Sequence, residues 1–253
     1  TVTIDVAPGA PSVPTVASVV HPTCAVTSGT IVFTAQAGVQ YSVGGAYQNS
    51  ATFTGLAPNT YTLSVRSTTD NTCITNAAST VTINAIPTAP AVPTAGSVTQ
   101  PTCAVPSGTI VINEIAGVEY SVGSGYQAER TFTGLAPDTY TLSVRRISDN
   151  TCESLSVGTV TINAVPSAPA VPTVASVTQP TCAVNTGTIV FTAQAGVQYS
   201  VGGAYQNSAT FTGLAPNTYT LSVRSTTDNT CITNAASTVT IDVAPGAPSV
   251  PTV

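Results

Sequence analysis

The string F-T-G-L-A-P-N-T-Y-T-L-S-V-R at Phe53–Arg66 returns at Phe132–Arg145, with Asp138 in place of Asn59, and again at Phe211–Arg224, each time 79 positions further on. A fixed period of this length makes the chain an array of one small unit. A unit this short has little from which to build a core and lies close to the lower limit for a domain that folds unaided. Within the string, Gly55 and Ala57-Pro58-Asn59 supply a turn. Tyr61, Leu63 and Val65 then alternate with Thr62, Ser64 and Arg66, the period of two that marks a half-buried strand.

The rest of the repeat reads the same way. Thr30–Thr34, Val39–Val43, Thr52–Thr54 and Thr80–Ile83 are short apolar-alternating runs, and Gly44-Gly45 marks a turn. No stretch shows the period of a helix. The expected fold class is therefore all-β, with about six short strands per repeat forming a sandwich. A turn that delivers a Tyr at the head of a core strand resembles the corner of immunoglobulin-like sandwiches, where the phenol ties the corner to the strand. The inward set is Ile31, Phe33, Val39, Tyr41, Val43, Phe53, Leu56, Tyr61, Leu63, Val65, Val81 and Ile83, with equivalents 79 and 158 positions on.

The repeats run over 16–94, 95–173 and 174–253, each with its linker. Thr1–Thr15 is repeated letter for letter at Thr238–Thr252 and reads as the last strand and linker of a preceding repeat. Its strand at Thr1–Ile4 is expected to lack the sheet that it closes. The first and third repeats are identical over Gly29–Ile83 and Gly187–Ile241. At every junction prolines fall three apart: Pro8, Pro11, Pro14; Pro87, Pro90, Pro93; Pro166, Pro169, Pro172; Pro245, Pro248, Pro251. That is the period of polyproline II, so the linkers are expected to be extended, semi-rigid spacers.

Charge is scarce. The chain has five Arg, no Lys and a formal net charge of −5, which argues against nucleic acid and anionic membranes as partners. Nothing approaches the roughly 18 consecutive apolar residues of a membrane span, so no direct membrane insertion is expected. The six cysteines fall two to a repeat, each pair 49 positions apart: Cys24 and Cys73, Cys103 and Cys152, Cys182 and Cys231. Two cysteines in each small β unit read as one internal disulfide, and hence as an oxidising, extracellular setting. Pairing of Cys73 with Cys103 would instead leave Cys24 and Cys231 without partners in the chain.

No residue set here points to catalysis, a cofactor or a metal. The single His21 is replaced by Gln100 and Gln179 in the other repeats, and bridged cysteines are not nucleophiles. Zinc requires closely spaced Cys or His ligands. Asp70, Asp149 and Asp228 recur singly in a D-N-T-C turn, whereas calcium takes six to eight oxygens, so an Asx turn is the plainer reading. For ligand binding the candidates are Tyr47, Tyr126 and Tyr205, just past the Gly-rich turn, which would stack on a sugar if exposed. Arg66, Arg145 and Arg224 read as solvated strand-end charges.

Taken together, Q-P-T-C, G-T-I-V, V-E-Y-S-V-G-S-G-Y-Q, T-F-T-G-L-A-P-D-T-Y-T-L-S-V-R and T-V-T-I-N-A-V-P-S-A-P resemble the tandem immunoglobulin-like repeats of large cell-surface adhesins of Bacteroidota, including SprB-type gliding-motility adhesins exported by type IX secretion. The resemblance covers all three repeats. It implies a non-enzymatic extracellular filament or stalk at the cell surface that spaces an adhesive region from the cell. Its partners would be neighbouring repeats of the same long chain, with extracellular surfaces or glycans as the alternative.

Overall fold

The computed structural model describes residues 9–247. The strand expected at Thr1–Ile4 lies outside them. The described residues contain no helix, so none is long and apolar enough to cross a membrane. The fold is all-β, made of immunoglobulin-like sandwiches, and every sheet draws its strands from a single repeat.

In the first repeat the strands are β1 (Val16–Val20), β2 (Gly29–Phe33), β3 (Val39–Ser42), β4 (Thr52–Leu56), β5 (Asn59–Tyr61), β6 (Ser64–Ser67), β7 (Ile74–Asn76) and β8 (Val81–Ile83). One sheet has the order β1-β2-β4 and the other β3-β6-β7, with β5-β8 as a further ladder, all antiparallel. Ile31 and Phe33 from β2 meet Tyr41 from β3, Val65 from β6, and Leu63 and Ile83, all buried; Val39, Val43, Phe53, Leu56, Tyr61 and Val81 pack partly buried around them. Alternation along β2 is complete, with Gly29, Ile31 and Phe33 inward and Thr30 and Val32 half-buried. Phe33 packs tilted on Tyr41 and Phe53, at centroid distances of 5.1 and 5.6 Å, within the range of favourable aromatic pairs.

The middle repeat comprises β9 (Ala95–Thr99), β10 (Gly108–Ile112), β11 (Val118–Ser121), β12 (Thr131–Leu135), β13 (Asp138–Arg146) and β14 (Glu153–Ile162). Here the last two strands run unbroken through nine and ten residues, where the first repeat has two shorter pieces each. The third repeat, β15 (Val174–Thr178), β16 (Gly187–Phe191), β17 (Val197–Ser200), β18 (Thr210–Leu214), β19 (Asn217–Tyr219), β20 (Ser222–Ser225), β21 (Ile232–Asn234) and β22 (Val239–Ile241), matches the first strand for strand. By contact density the chain forms two compact units. The first holds the described residues up to Thr94 with Ile112–Arg130 and Thr141–Thr159. The second holds Ala95–Val111, Thr131–Tyr140 and the described residues from Val160 onward. The strands of the middle repeat are thus shared between the two.

Tyr61 forms the expected corner: its hydroxyl donates to the Ala57 carbonyl at 2.8 Å, as Tyr140 does to Ala136 and Tyr219 to Ala215. The linkers are not free spacers. Thr75 of β7 donates to the Pro11 carbonyl at 2.8 Å, Ser154 of β14 to Pro90 at 2.8 Å, and Thr233 of β21 to Pro169 at 2.7 Å. Each linker is thereby held along an edge strand of the repeat it precedes. Proline is compatible with this contact, since it lacks an N–H but its carbonyl still accepts.

The strand directions overturn the expected disulfides. In the first repeat, the β1–β2 loop carrying Cys24 lies at the end where Gly29 faces Leu56 and the Asn84 amide donates to His21 Nδ1. The β6–β7 turn carrying Cys73 lies at the other end, where the Thr68 amide bonds the Gly38 carbonyl and Thr34 bonds Thr15. A strand of five residues spans about 17 Å, whereas a disulfide needs Cα atoms about 4.4–6.8 Å apart. Cys24 therefore does not pair with Cys73, nor Cys103 with Cys152, nor Cys182 with Cys231. The bridges are Cys24–Cys152 and Cys103–Cys231, each with a Cα separation of 5.0 Å and spanning 128 positions. Cys182 is an exposed thiol, and the Cys73 sulfur lies 3.5 Å from Asp70 Oδ2. Each bridge joins one repeat to the next.

Candidate functional site

The staple between repeats is built from a loop and a turn. The loop is P-T-C-A-V, at Pro22–Val26 and Pro101–Val105. Its Thr amide bonds the Val carbonyl at 2.8 and 2.9 Å, and its Thr hydroxyl accepts the Val amide at 3.0 Å in both. This local closure leaves the Cys and Ala amides pointing outward. The turn is D-N-T-C, at Asp149–Cys152 and Asp228–Cys231. It is an Asx turn: Asp149 Oδ1 accepts the Thr151 amide at 3.0 Å and the Thr151 hydroxyl at 2.7 Å, while the Cys152 amide bonds the Asp149 carbonyl.

The second carboxylate oxygen is what the turn presents to its neighbour. Asp149 Oδ2 accepts the Cys24 amide at 3.1 Å, and Thr151 Oγ1 accepts the Ala25 amide at 3.2 Å. In the following staple Asp228 accepts Cys103 at 2.9 Å and Thr230 accepts Ala104 at 3.2 Å. The Thr hydroxyl serves twice, donating to its own Asp and accepting from the neighbouring repeat, a dual capacity that Val lacks. The Asp149 carboxyl is held below its ordinary pKa chiefly by the Thr151 hydroxyl. The Thr151 and Cys24 amides and the Arg146 charge act in the same direction, and burial opposes them. For Asp228 the Thr230 hydroxyl again leads, followed by the Cys103 amide. An ionised acceptor roughly doubles the strength of such bonds.

The first staple has an extra clamp. Arg146 Nε donates to the Thr88 carbonyl of the linker at 2.6 Å and Nη2 to its hydroxyl at 3.1 Å. Ser67 and Ser225 occupy the corresponding position in the other repeats. Cys24, Asp149 and Cys152, like Cys103, Asp228 and Cys231, lie close enough to resemble metal ligand sets. Their sulfurs are joined to each other and so offer no thiolate to a metal.

The tyrosines singled out for ligand binding lie elsewhere in each repeat, beside the arginines. Arg66 stacks over the Tyr47 ring at 4.4 Å, Arg145 over Tyr126 at 4.3 Å and Arg224 over Tyr205 at 4.4 Å. The Tyr47 hydroxyl bonds Ser64 and that of Tyr205 bonds Ser222, both at 2.9 Å, while Tyr126 donates to Glu153. One ring face is thereby covered by a guanidinium. The arginines are not merely solvated: Arg66 and Arg224 donate to Gln40 and Gln198, and Arg145 pairs with Glu119 at 2.7 Å.

His21 fills a structural place, since Nδ1 accepts the Asn84 amide just as Gln100 accepts Asn163 and Gln179 accepts Asp242. The sequence also hid the role of Gly29, Gly108 and Gly187. A Cβ on Gly29 would stand 2.7 Å from Ile83 Cγ2 and 2.8 Å from the Val20 carbonyl, and the other two are as tight. The recurrence of glycine at the head of G-T-I-V was the available signal.

No family model and no curated protein matches the chain. Among solved structures it is similar to the FN1–FN3 domains of chicken CNTN1, at 13% identity and a TM-score of 0.33 over 94% of this chain and 100% of that one. It is also similar to a 1.5-MDa bacterial ice-binding adhesin, at 16% identity and a TM-score of 0.34 over 93% and 100% of the two chains. A third is SGBP-B of Bacteroides ovatus in complex with a mixed-linkage heptasaccharide, at 13% identity and a TM-score of 0.20 over 96% of this chain and 68% of that one.

Proposed function

We propose that the chain is a structural segment of a large extracellular cell-surface adhesin, a stalk in which immunoglobulin-like repeats are covalently stapled to their neighbours. The repeats are taken as 16–94, 95–173 and 174–253, preceded by the closing strand and linker of another repeat at 1–15. The observation that carries this reading is the recurrence of the staple, with bridges spanning 128 positions twice over and the same Asp and Thr acceptors at each. A device that locks repeat to repeat at every junction serves the continuity of an array rather than chemistry at one place. Disulfides persist in oxidising, extracellular settings, which agrees with a cell-surface location. The sequence resemblance to SprB-type repeats supports the finer assignment to a gliding or surface adhesin of Bacteroidota exported by type IX secretion.

In this reading Tyr47, Tyr126 and Tyr205 are braces for the second sheet, with Arg stacked on them, rather than sugar platforms. Glycan-array binding by the oxidised protein tests it. The stalk reading expects no signal above that of the triple variant Tyr47→Ala, Tyr126→Ala, Tyr205→Ala. Strong binding that the triple variant abolishes would overturn it in favour of a glycan-binding repeat.

A further inference from the structure

Each staple holds its two sulfurs against oxygen atoms. In D-N-T-C the aspartate stands three residues before the cysteine. The bond from the Cys152 amide to the Asp149 carbonyl at 3.0 Å, matched by Cys231 to Asp228 at 3.0 Å, folds the turn so that its carboxylate comes back onto its own sulfur. Asp149 Oδ2 lies 3.2 Å from Cys152 Sγ, and Asp228 Oδ2 lies 3.3 Å from Cys231 Sγ. In each bridge a carboxylate oxygen is within 4.8 Å of both sulfurs. The other sulfur faces the linker, with Cys24 Sγ 3.3 Å from the Pro87 carbonyl oxygen and Cys103 Sγ 3.2 Å from that of Pro166. Access is unequal. Cys152 and Cys231 are fully buried, whereas Cys24 and Cys103 are half-buried.

We propose that the staples are shielded against reduction by anionic thiols: attack is open only at Cys24 and Cys103, and the Asp149 and Asp228 carboxylates repel both the incoming and the leaving thiolate. In the first step a thiolate attacks Cys24 Sγ, and the electron pair of the broken S–S bond goes to Cys152 Sγ. A second thiolate then attacks the reagent sulfur of the mixed disulfide, expels Cys24 as a thiolate and forms the reagent disulfide. Two reagent thiols are oxidised while the bridge takes up two electrons and, from solvent, two protons. Cys152 must leave as an anion in a buried place beside a carboxylate, and both features disfavour that anion. Exchange slows when the leaving thiol is the weaker acid. Two unit charges about 5 Å apart alter a rate roughly fourfold even with the full screening of water, and more where water is excluded.

The two staples are not equally shielded. The Arg146 charge acts on the Asp149 carboxyl and offsets part of its field, whereas Ser225 stands at the corresponding position in the third repeat. Cys103–Cys231 is therefore the slower of the two to open.

This inference concerns how the bridge resists reduction and stands apart from the stalk reading. The test exposes the chain, both staples closed, to a cationic thiol (cysteamine) and an anionic one (3-mercaptopropionate) at fixed pH and ionic strength. Rates are taken per thiolate, and mixed disulfides are trapped by alkylation and mapped. Relative to a small uncharged disulfide, the cationic reagent should be favoured at least about tenfold. That preference should fall at least about fourfold at Cys24–Cys152 in Asp149→Asn and at Cys103–Cys231 in Asp228→Asn. The adducts should sit on Cys24 and Cys103, with Cys24–Cys152 the first to open under the anionic thiol. A turn merely loosened by the substitution would speed both reagents alike and leave the preference unchanged. An unchanged preference, or adducts on Cys152 or Cys231, would overturn the proposal.

Discussion

Force applied along the chain offers a severe test of the staples, because they dictate which residues can stretch. Between Gly9 and Ala247 the fully reduced chain has 238 positions to extend, about 810 Å at about 3.4 Å per residue. With Cys24–Cys152 and Cys103–Cys231 closed, the shortest covalent path runs 15 positions to Cys24, crosses to Cys152, returns 49 positions to Cys103, crosses to Cys231 and leaves through 16 more. That path of 80 positions extends to about 270 Å. Most of the first repeat and most of the third lie off it. The discriminating perturbation is Cys73→Ser with Cys182→Ser. The staples do not use these residues, so the oxidised variant should still stop at about 270 Å. Bridges within repeats would have left only Cys103–Cys152 in that variant, freeing 189 positions, about 640 Å. Single-molecule pulling reads the limit directly. A variant contour of about 640 Å, or an equal contour with and without reductant in the natural chain, would refute the reasoning.

Other outcomes follow from particular contacts. Gly29→Ala places a methyl 2.7 Å from Ile83 Cγ2 and 2.8 Å from a backbone carbonyl, so it should cost about 1–3 kcal/mol, read as a fall in Tm; Gly45→Ala, with nothing within 4 Å, is the control. Tyr61→Phe removes the corner hydrogen bond to Ala57 and should cost about 1 kcal/mol by denaturant unfolding. Asp149 and Asp228 have pKa values lowered by folding. Their contribution is therefore fully present above the ordinary Asp value of about 3.9 and is lost as pH falls through the lower folded values. Under reducing conditions thermal stability should drop below about pH 4, and Asp149→Asn with Asp228→Asn should flatten that drop.

Much of the sandwich was legible from residue alternation. Ile31, Phe33, Tyr41, Leu63, Val65 and Ile83 stand at alternating positions in apolar runs, and all six are buried. The corner tyrosine was equally readable, because a turn fixes where its hydroxyl lands. The first strand, V-A-S-V-V, escaped notice because it lies at a sheet edge with no residue fully buried and so carries no clean alternation. Residues Ile74–Asn76 form a strand too short to show a period. The pairing of the cysteines failed for a different reason. Two cysteines in one repeat look like partners unless one asks at which end of the sandwich each loop emerges. Cys24 follows β1 and Cys73 follows β6, and the strand directions carry those loops to opposite ends. The contact of Arg66 with Tyr47 was hidden because the two are 19 positions apart and meet only through the β3–β6 pairing, in which Gln40 faces Arg66.

The most direct test of the staple is a tryptic map of the oxidised, alkylated protein. With arginine only at 66, 130, 145, 146 and 224 and no lysine, the cysteines fall on four peptides: 1–66, 67–130, 147–224 and 225–253. The staples predict two separate pairs, 1–66 joined to 147–224 through Cys24 and Cys152 and 67–130 joined to 225–253 through Cys103 and Cys231. Recovery of 1–66 joined to 67–130 through Cys24 and Cys73 would contradict the account.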